Sequence, residues 1–181
     1  MEMLKDFSIS SFKNMKPPSD NTFDTSQEIK ALKKIPLNKK FVKDYDNIEK
    51  AFAKTAKEQG VDYDKKIAAK LITASSPIII KLKKHFDRPR PKVLAKKMNI
   101  KIKDIEMDSM KTASYPSGHT AQGILIAKAL GDKYPKAKSA FAKTGENISY
   151  SRNVARAHYK SDSKMGEKLA NAMYKHIKNK I

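Results

Sequence analysis

Cysteine and tryptophan are absent from this chain. Without cysteine there is neither a disulfide framework nor a thiolate metal site, so packing must hold the fold and the redox compartment cannot be inferred. Long apolar runs are also missing. Pro77–Ile80 is among the longest, whereas a membrane-spanning helix needs roughly 18 consecutive apolar residues. The opening Met-Glu-Met-Leu-Lys-Asp-Phe carries acids early and lacks the apolar segment of about 7 to 15 residues that marks an exported chain. The expectation is a soluble, cytoplasmic protein without a signal peptide. No period-two alternation of any length and no internal repeat is found, which argues against sheet and solenoid folds.

Acids are scarce: 19 Asp and Glu stand against 39 Lys and Arg, for a net charge of +20. This predicts a salt-sensitive encounter with anionic substrates and peripheral attraction to nucleic acid or anionic membranes. No basic stripe interleaved with base-stacking aromatics accompanies the charge. Arginine is scarcer still. Only Arg88, Arg90, Arg152 and Arg156 occur, confined to two short stretches where a rigid bidentate donor would serve a phosphate. Three of the four histidines, His85, His119 and His158, fall in those stretches or in a third one, Tyr115–His119.

A length of 181 residues suits one domain. Residues 1–22, broken by Pro17-Pro18 and Asp20-Asn21, predict an extended N-terminal arm, and 23–181 a helical domain. Thr25 and Glu28 have capping-box spacing for a helix through Leu32. Asn38 caps a helix whose apolar positions Phe41, Val42, Tyr45, Ile48, Phe52 and Ala56 run continuously to Gly60. A helix from Asp62 through Ile72 restarts at Ser76-Pro77 and stops by Asp87, since Pro89 and Pro91 exclude helical backbone. Residues 92–114 predict a short helix over Val93–Lys97 and then a basic excursion over the site. Ser117 caps a helix that Gly131 closes. A long helix follows Pro135, and a last one spans about Asp162 to Lys178. The fold class is all-α, a single-domain helical bundle.

Three stretches carry chemistry. Ser117-Gly118-His119 opens a helix, where free N–H groups and the helix dipole make an anion site with a histidine in its first turn. Lys83 and Arg90 bring fixed positive charge past a helix end. Arg152 and His158 are six residues apart, roughly 240° around a continuous helix. They reach one pocket only if the helix ends or turns between them, and the helix is expected to end near His158. Asp162 can then accept from one ring nitrogen of His158 and leave the other free to attack.

Together, Lys83-x6-Arg90-Pro91, Pro116-Ser117-Gly118-His119 and Ser151-Arg152-x5-His158-x3-Asp162 resemble the three-part signature of the superfamily of type 2 phosphatidic acid phosphatases, class A bacterial non-specific acid phosphatases and vanadium haloperoxidases. The flanking Ser114-Tyr115, His85 and Pro17-Pro18 are most similar to the class A branch. The resemblance implies that His158 forms a phosphohistidine with Asp162 holding its ring, and that His119 protonates the leaving alcohol. Lys83, Arg90, Arg152, the Ser117 hydroxyl and the Gly118 N–H bind the phosphate oxygens. It implies a metal-independent phosphomonoesterase acting on a small phosphorylated substrate, with vanadate as an inhibitor and homodimers as the assembly.

Lys81 also stands seven residues before an Arg-Pro pair, Arg88-Pro89, so a shifted register competes with Lys83 and Arg90. The Arg-x-Arg-Pro ending of the class A enzymes favours Lys83 and Arg90. Arg88, Arg156 and His85 are then candidates for supporting or substrate contacts. The class A relatives are exported, larger and less basic, which sets this chain apart from them. Two further readings stand beside the phosphatase: a haloperoxidase holding vanadate as a prosthetic group, and a basic nucleic-acid- or membrane-binding protein with a degenerate pocket.

Overall fold

A computed structural model describes residues 2–180. Among them every regular element is helical: α1 Phe23–Lys33, α2 Lys39–Asp46, α3 Ile48–Glu58, α4 Lys65–Phe86, α5 Pro91–Lys97, α6 Gly118–Lys133, α7 Lys138–Val154 and α8 Lys160–Ile177. Helix α6 is the central element, with α7, α8 and α4 packed around it. Its Ala121, Leu125, Ile126 and Leu130 are fully buried, as expected of a helix that is apolar around most of its circumference.

Close approach at two places sets the geometry. A Cβ on Gly145 of α7 would lie 2.9 Å from the Ala127 Cβ and 3.0 Å from the Gly123 carbonyl of α6. A Cβ on Gly166 of α8 would lie 2.7 Å from the carbonyl of Ser117. The second contact presses α8 against the start of α6 and so fixes the turn that carries His119.

The N-terminal residues form two short 3-10 turns, Glu2–Leu4 and Phe12–Asn14. Leu4 and Phe12 are buried in the main core, and the Tyr115 hydroxyl donates to the Met15 carbonyl at 2.5 Å.

Several local expectations are corrected. The cap of α1 is Thr22, whose side chain accepts from the Thr25 N–H, and Glu28 makes no capping box because its carboxylate is taken by Arg88 and by Ser161 of α8. Helix α4 does not restart at Pro77 but runs through it. The missing hydrogen bond is outweighed by a continuous buried face, Leu71, Ala74, Ile78, Ile79 and Leu82, and in the turn before it the Ser75 and Ser76 hydroxyls donate to the Leu71 and Ile72 carbonyls at 2.7 Å. Gly131 lies within α6 rather than ending it. The helix expected from Asn38 to Gly60 is broken into α2 and α3 at Asn47. The expected end of α7 between Arg152 and His158 is found, at Val154, and Arg156 takes a left-handed φ of 58°.

Candidate active site

The turn after α7 brings His158 inward. The Ala157 N–H donates to the Arg152 carbonyl at 3.0 Å, and the Asn153 side chain donates to the His158 carbonyl at 3.0 Å. Helix α8 then starts immediately. Asp162, at its third position, accepts from the Tyr159 N–H at 3.1 Å, so the carboxylate that caps the helix also faces the imidazole four residues back.

Asp162 is fully buried at 0% exposure. One oxygen accepts from His158 Nδ1 at 2.9 Å and from the Ser114 hydroxyl; the other accepts from Arg88 at 2.8 Å. Burial acts to raise this carboxyl, but the His158 hydrogen bond and the charges and donors around it outweigh burial and hold it below the usual carboxylate range. Arg88 lies behind Asp162. It also reaches Glu28 at 2.9 Å and Ser161 at 2.7 Å, and its guanidinium stacks 3.7 Å above the Tyr159 ring.

His158 faces Arg90 on its other side, with Nη1 2.9 Å from Nε2. A guanidinium can only donate, so Nε2 must accept and the ring hydrogen sits on Nδ1, toward Asp162. Burial, offset in part by Asp162 and reinforced by Arg90, lowers the His158 pKa to about 3. The imidazole is therefore neutral over the physiological range with its Nε2 lone pair available.

Arg90 is held by the excursion after α5. Its Nε donates to the Thr112 carbonyl at 2.9 Å and its Nη2 to the Ser109 carbonyl at 3.0 Å. Lys83, 5% exposed, donates to the Ala113 carbonyl at 2.6 Å. Burial and the charge of Arg90 lower its pKa to about 7. Residues 107–113 thus wrap the cations by presenting carbonyls, although this excursion is less basic than expected, with Asp104, Glu106 and Asp108 in it.

His119 lies in the first turn of α6 with its side chain 20% exposed. Its Nε2 is 2.8 Å from the Asp46 carbonyl, an acceptor, so Nε2 carries the hydrogen. Burial and the charge of Arg152 lower its pKa to about 4. Arg152 is 1% exposed; its Nη1 binds the Asp46 carboxylate at 3.1 Å, and its Nη2 is buried without a partner.

A pocket of about 240 Å³ brings together Lys83, Arg90, Gly118, His119 and His158. Asp162 stands behind His158, and Arg152, bonded to Asp46, does not line the pocket. Ser117 is fully buried as the cap of α6, its hydroxyl accepting from the Thr120 N–H at 3.3 Å, and does not line the pocket. The Gly118 N–H, first in its helix, has no intrahelical acceptor. Lys81 is exposed, outside this pocket. His85 and Arg156 do not join the site: His85 meets the Lys13 carbonyl at 3.2 Å, and Arg156 binds the Lys33, Ile35 and Lys103 carbonyls. The sequence pattern assigns no site role to Asp46, to Glu28, which reads as a helix cap, or to Ser114, which stands beside the Tyr115–His119 stretch as a flanking residue of the resemblance. Among the described residues no three His, Asp or Glu are gathered to hold a metal ion, and no helix is long and apolar enough to cross a membrane.

The sequence profile of the PAP2 superfamily matches residues 66–173, the span that contains every pocket residue. Non-specific acid phosphatases of Salmonella typhimurium and Salmonella typhi are 38% and 37% identical to this chain over 84 residues. The alignment takes in 46% of this chain and 33% of either relative, so the chain spans about a third of the length of these curated relatives.

Proposed function

The chain belongs to the PAP2 superfamily, and from that premise we propose that it is a phosphomonoesterase that works through a phosphohistidine and needs no metal ion. The observation that carries this reading is the His158 imidazole: Nδ1 is anchored on a buried carboxylate at 2.9 Å, and Nε2 faces Arg90 in a pocket shared with Lys83 and His119. The acid phosphatase names of the two relatives support it.

In this scheme the phosphate of a small monoester enters among Lys83, Arg90 and the Gly118 N–H. Arg90 moves its hydrogen bond from Nε2 to a phosphate oxygen, which frees the lone pair. Nε2 attacks phosphorus, the ester P–O bond breaks, and His119 gives a proton to the departing alcohol. Because the Asp46 carbonyl holds Nε2–H of His119, Nδ1 is the atom that exchanges this proton. His119 then takes a proton from water as the water attacks phosphorus, the P–N bond breaks and inorganic phosphate leaves. Asp162 keeps the ring oriented and stabilises the positive charge that develops on it. Lys83, Arg90 and Arg152 offset the charge on the transferred group, the task a metal performs elsewhere.

The test is turnover of p-nitrophenyl phosphate from acid to neutral pH with excess EDTA, in the parent and in His158→Ala. Activity that survives the chelator and vanishes in the variant, with a covalent phosphoenzyme trapped only in the parent, is expected. Activity that persists in folded His158→Ala, or that EDTA abolishes, overturns the scheme.

A further inference from the structure

Away from the pocket, a groove of about 690 Å³ lies between the end of α1, α5 and the loop that follows α5. Lys33, Lys96, Lys101 and Lys103 line it, and among the described residues none of the four has an acidic partner within salt-bridge distance. Ile100 and Ile102 also line it, and both pack beneath on the small core cluster of Ile29, Leu94, Ala95 and Tyr159.

The groove is built rather than a chance meeting of mobile side chains. Arg156, in its left-handed turn, donates to the Lys33 carbonyl at 3.1 Å on one wall and to the Lys103 carbonyl at 3.0 Å on the other. One residue thus sets the spacing of the two lysine-bearing segments. The Ile105 N–H adds a tie to the Ala155 carbonyl at 3.0 Å.

We propose that this groove is a docking site for an anionic lipid surface. Four unpaired ammonium groups around an aliphatic floor match the chemistry of a bilayer interface, with negative headgroups above and acyl chain beneath. Lysine is a point charge that suits mobile headgroups, and each one close to an anionic leaflet adds to binding.

A nucleic acid fits less well. No aromatic side chain lines the groove to stack on bases, and its one arginine is occupied with backbone carbonyls. Lys92 borders both this groove and the depression that leads to Arg90. That depression carries Asp46, Asp104, Glu106 and Asp108, so a polyanionic strand running from the groove to the pocket would cross four carboxylates. The groove itself is lined by no carboxylate, so a membrane docked there has none to cross. This inference rests on the groove alone and holds whatever the pocket does.

The experiment is vesicle co-sedimentation with phosphatidylcholine alone and with mixed phosphatidylcholine and phosphatidylserine. It compares the parent, a groove variant (Lys33→Gln, Lys96→Gln, Lys101→Gln, Lys103→Gln) and a control that removes the same charge elsewhere (Lys57→Gln, Lys136→Gln, Lys168→Gln, Lys175→Gln). Circular dichroism confirms that all three are folded. The parent is expected to bind only the mixed vesicles; the groove variant loses on the order of a thousandfold in affinity, and the control loses far less. Equal losses in the two variants would show attraction by overall charge and overturn the site. So would a parent that ignores the mixed vesicles, or one whose groove lysines matter only for a single-stranded oligonucleotide.

Discussion

Arg88 offers the sharpest test of how the site is held. Arg88 is 2% exposed, and its guanidinium spans Asp162 at 2.8 Å and Glu28 at 2.9 Å. Replacing it in Arg88→Met keeps much of the aliphatic stem but leaves the fully buried Asp162 carboxylate without its countercharge. Breaking one side of a buried pair costs about 3 to 5 kcal/mol, a large share of the roughly 5 to 15 kcal/mol by which domains of this kind are stable. The Arg88→Lys variant keeps the charge but cannot reach both carboxylates and Ser161 together, so it should fall between parent and Met variant.

The pH dependence separates charge from packing. In the parent, Asp162 sits below its ordinary carboxyl value, so it contributes stability that is present above about pH 4, the unfolded value, and is lost as pH falls through the lowered folded value. In Arg88→Met the burial of Asp162 is no longer opposed by that charge, and this contribution shrinks or reverses. The stability gap measured by urea unfolding should therefore be widest near neutrality and close below about pH 4. His119, whose pKa is lowered to about 4, weakens both proteins as pH falls below about 6.5 and cancels in the difference, whereas His158, bonded to Asp162, titrates with it and is part of the gap. A gap that is the same at every pH would refute the charge argument and leave Arg88 a packing partner of Tyr159. In folded Arg88→Lys, kcat should drop about tenfold, the effect of losing about 1.4 kcal/mol in the orientation of His158.

Two further perturbations bear on the pocket. Since Lys83 loses its proton at about pH 7 and His119 must be protonated to act as acid, kcat/KM should be highest on the acid side and fall again through neutrality. Lys83→Arg should remove that upper step, and a step that persists in the variant would assign it to another group. In Gly166→Ala, the new Cβ meets the Ser117 carbonyl at 2.7 Å and the Thr120 Cβ at 2.9 Å, so α8 must move off the turn that carries His119. A stability loss of about 1 to 3 kcal/mol with reduced turnover is expected, and an unchanged urea midpoint and kcat would refute the contact.

The helical class and most helix positions were legible because the apolar spacing is strong and Asn38, Ser117 and Asp87 mark helix ends where the structure has them. The pocket was legible because its cations and histidines are rare residue types gathered in short stretches. What lay hidden depends on contacts distant in sequence. Glu28 reads as a local cap until Arg88, sixty residues on, is seen to take its carboxylate. Pro77 reads as a helix start because a proline normally breaks a helix, and only the buried face on either side reveals that packing overrides it. Arg156 reads as a supporting or substrate contact because it shares a stretch with Arg152, yet the end of α7 between them turns it toward backbone carbonyls elsewhere.

Asp46 and Asn47 carry the same lesson furthest. In an unbroken helix the Lys50 N–H would bond to the Asp46 carbonyl, four residues back. Instead the Asn47 side chain takes that N–H at 2.9 Å and caps a new helix. The released Asp46 carbonyl accepts from His119 at 2.8 Å, and the Asp46 carboxylate pairs with Arg152 at 3.1 Å. The interruption of an otherwise regular amphipathic pattern thus supplies one contact to the acid-base candidate His119 and one to the buried Arg152. Periodicity predicts continuity across residues 38–60; only the partners waiting on α6 and α7 explain why the helix breaks there.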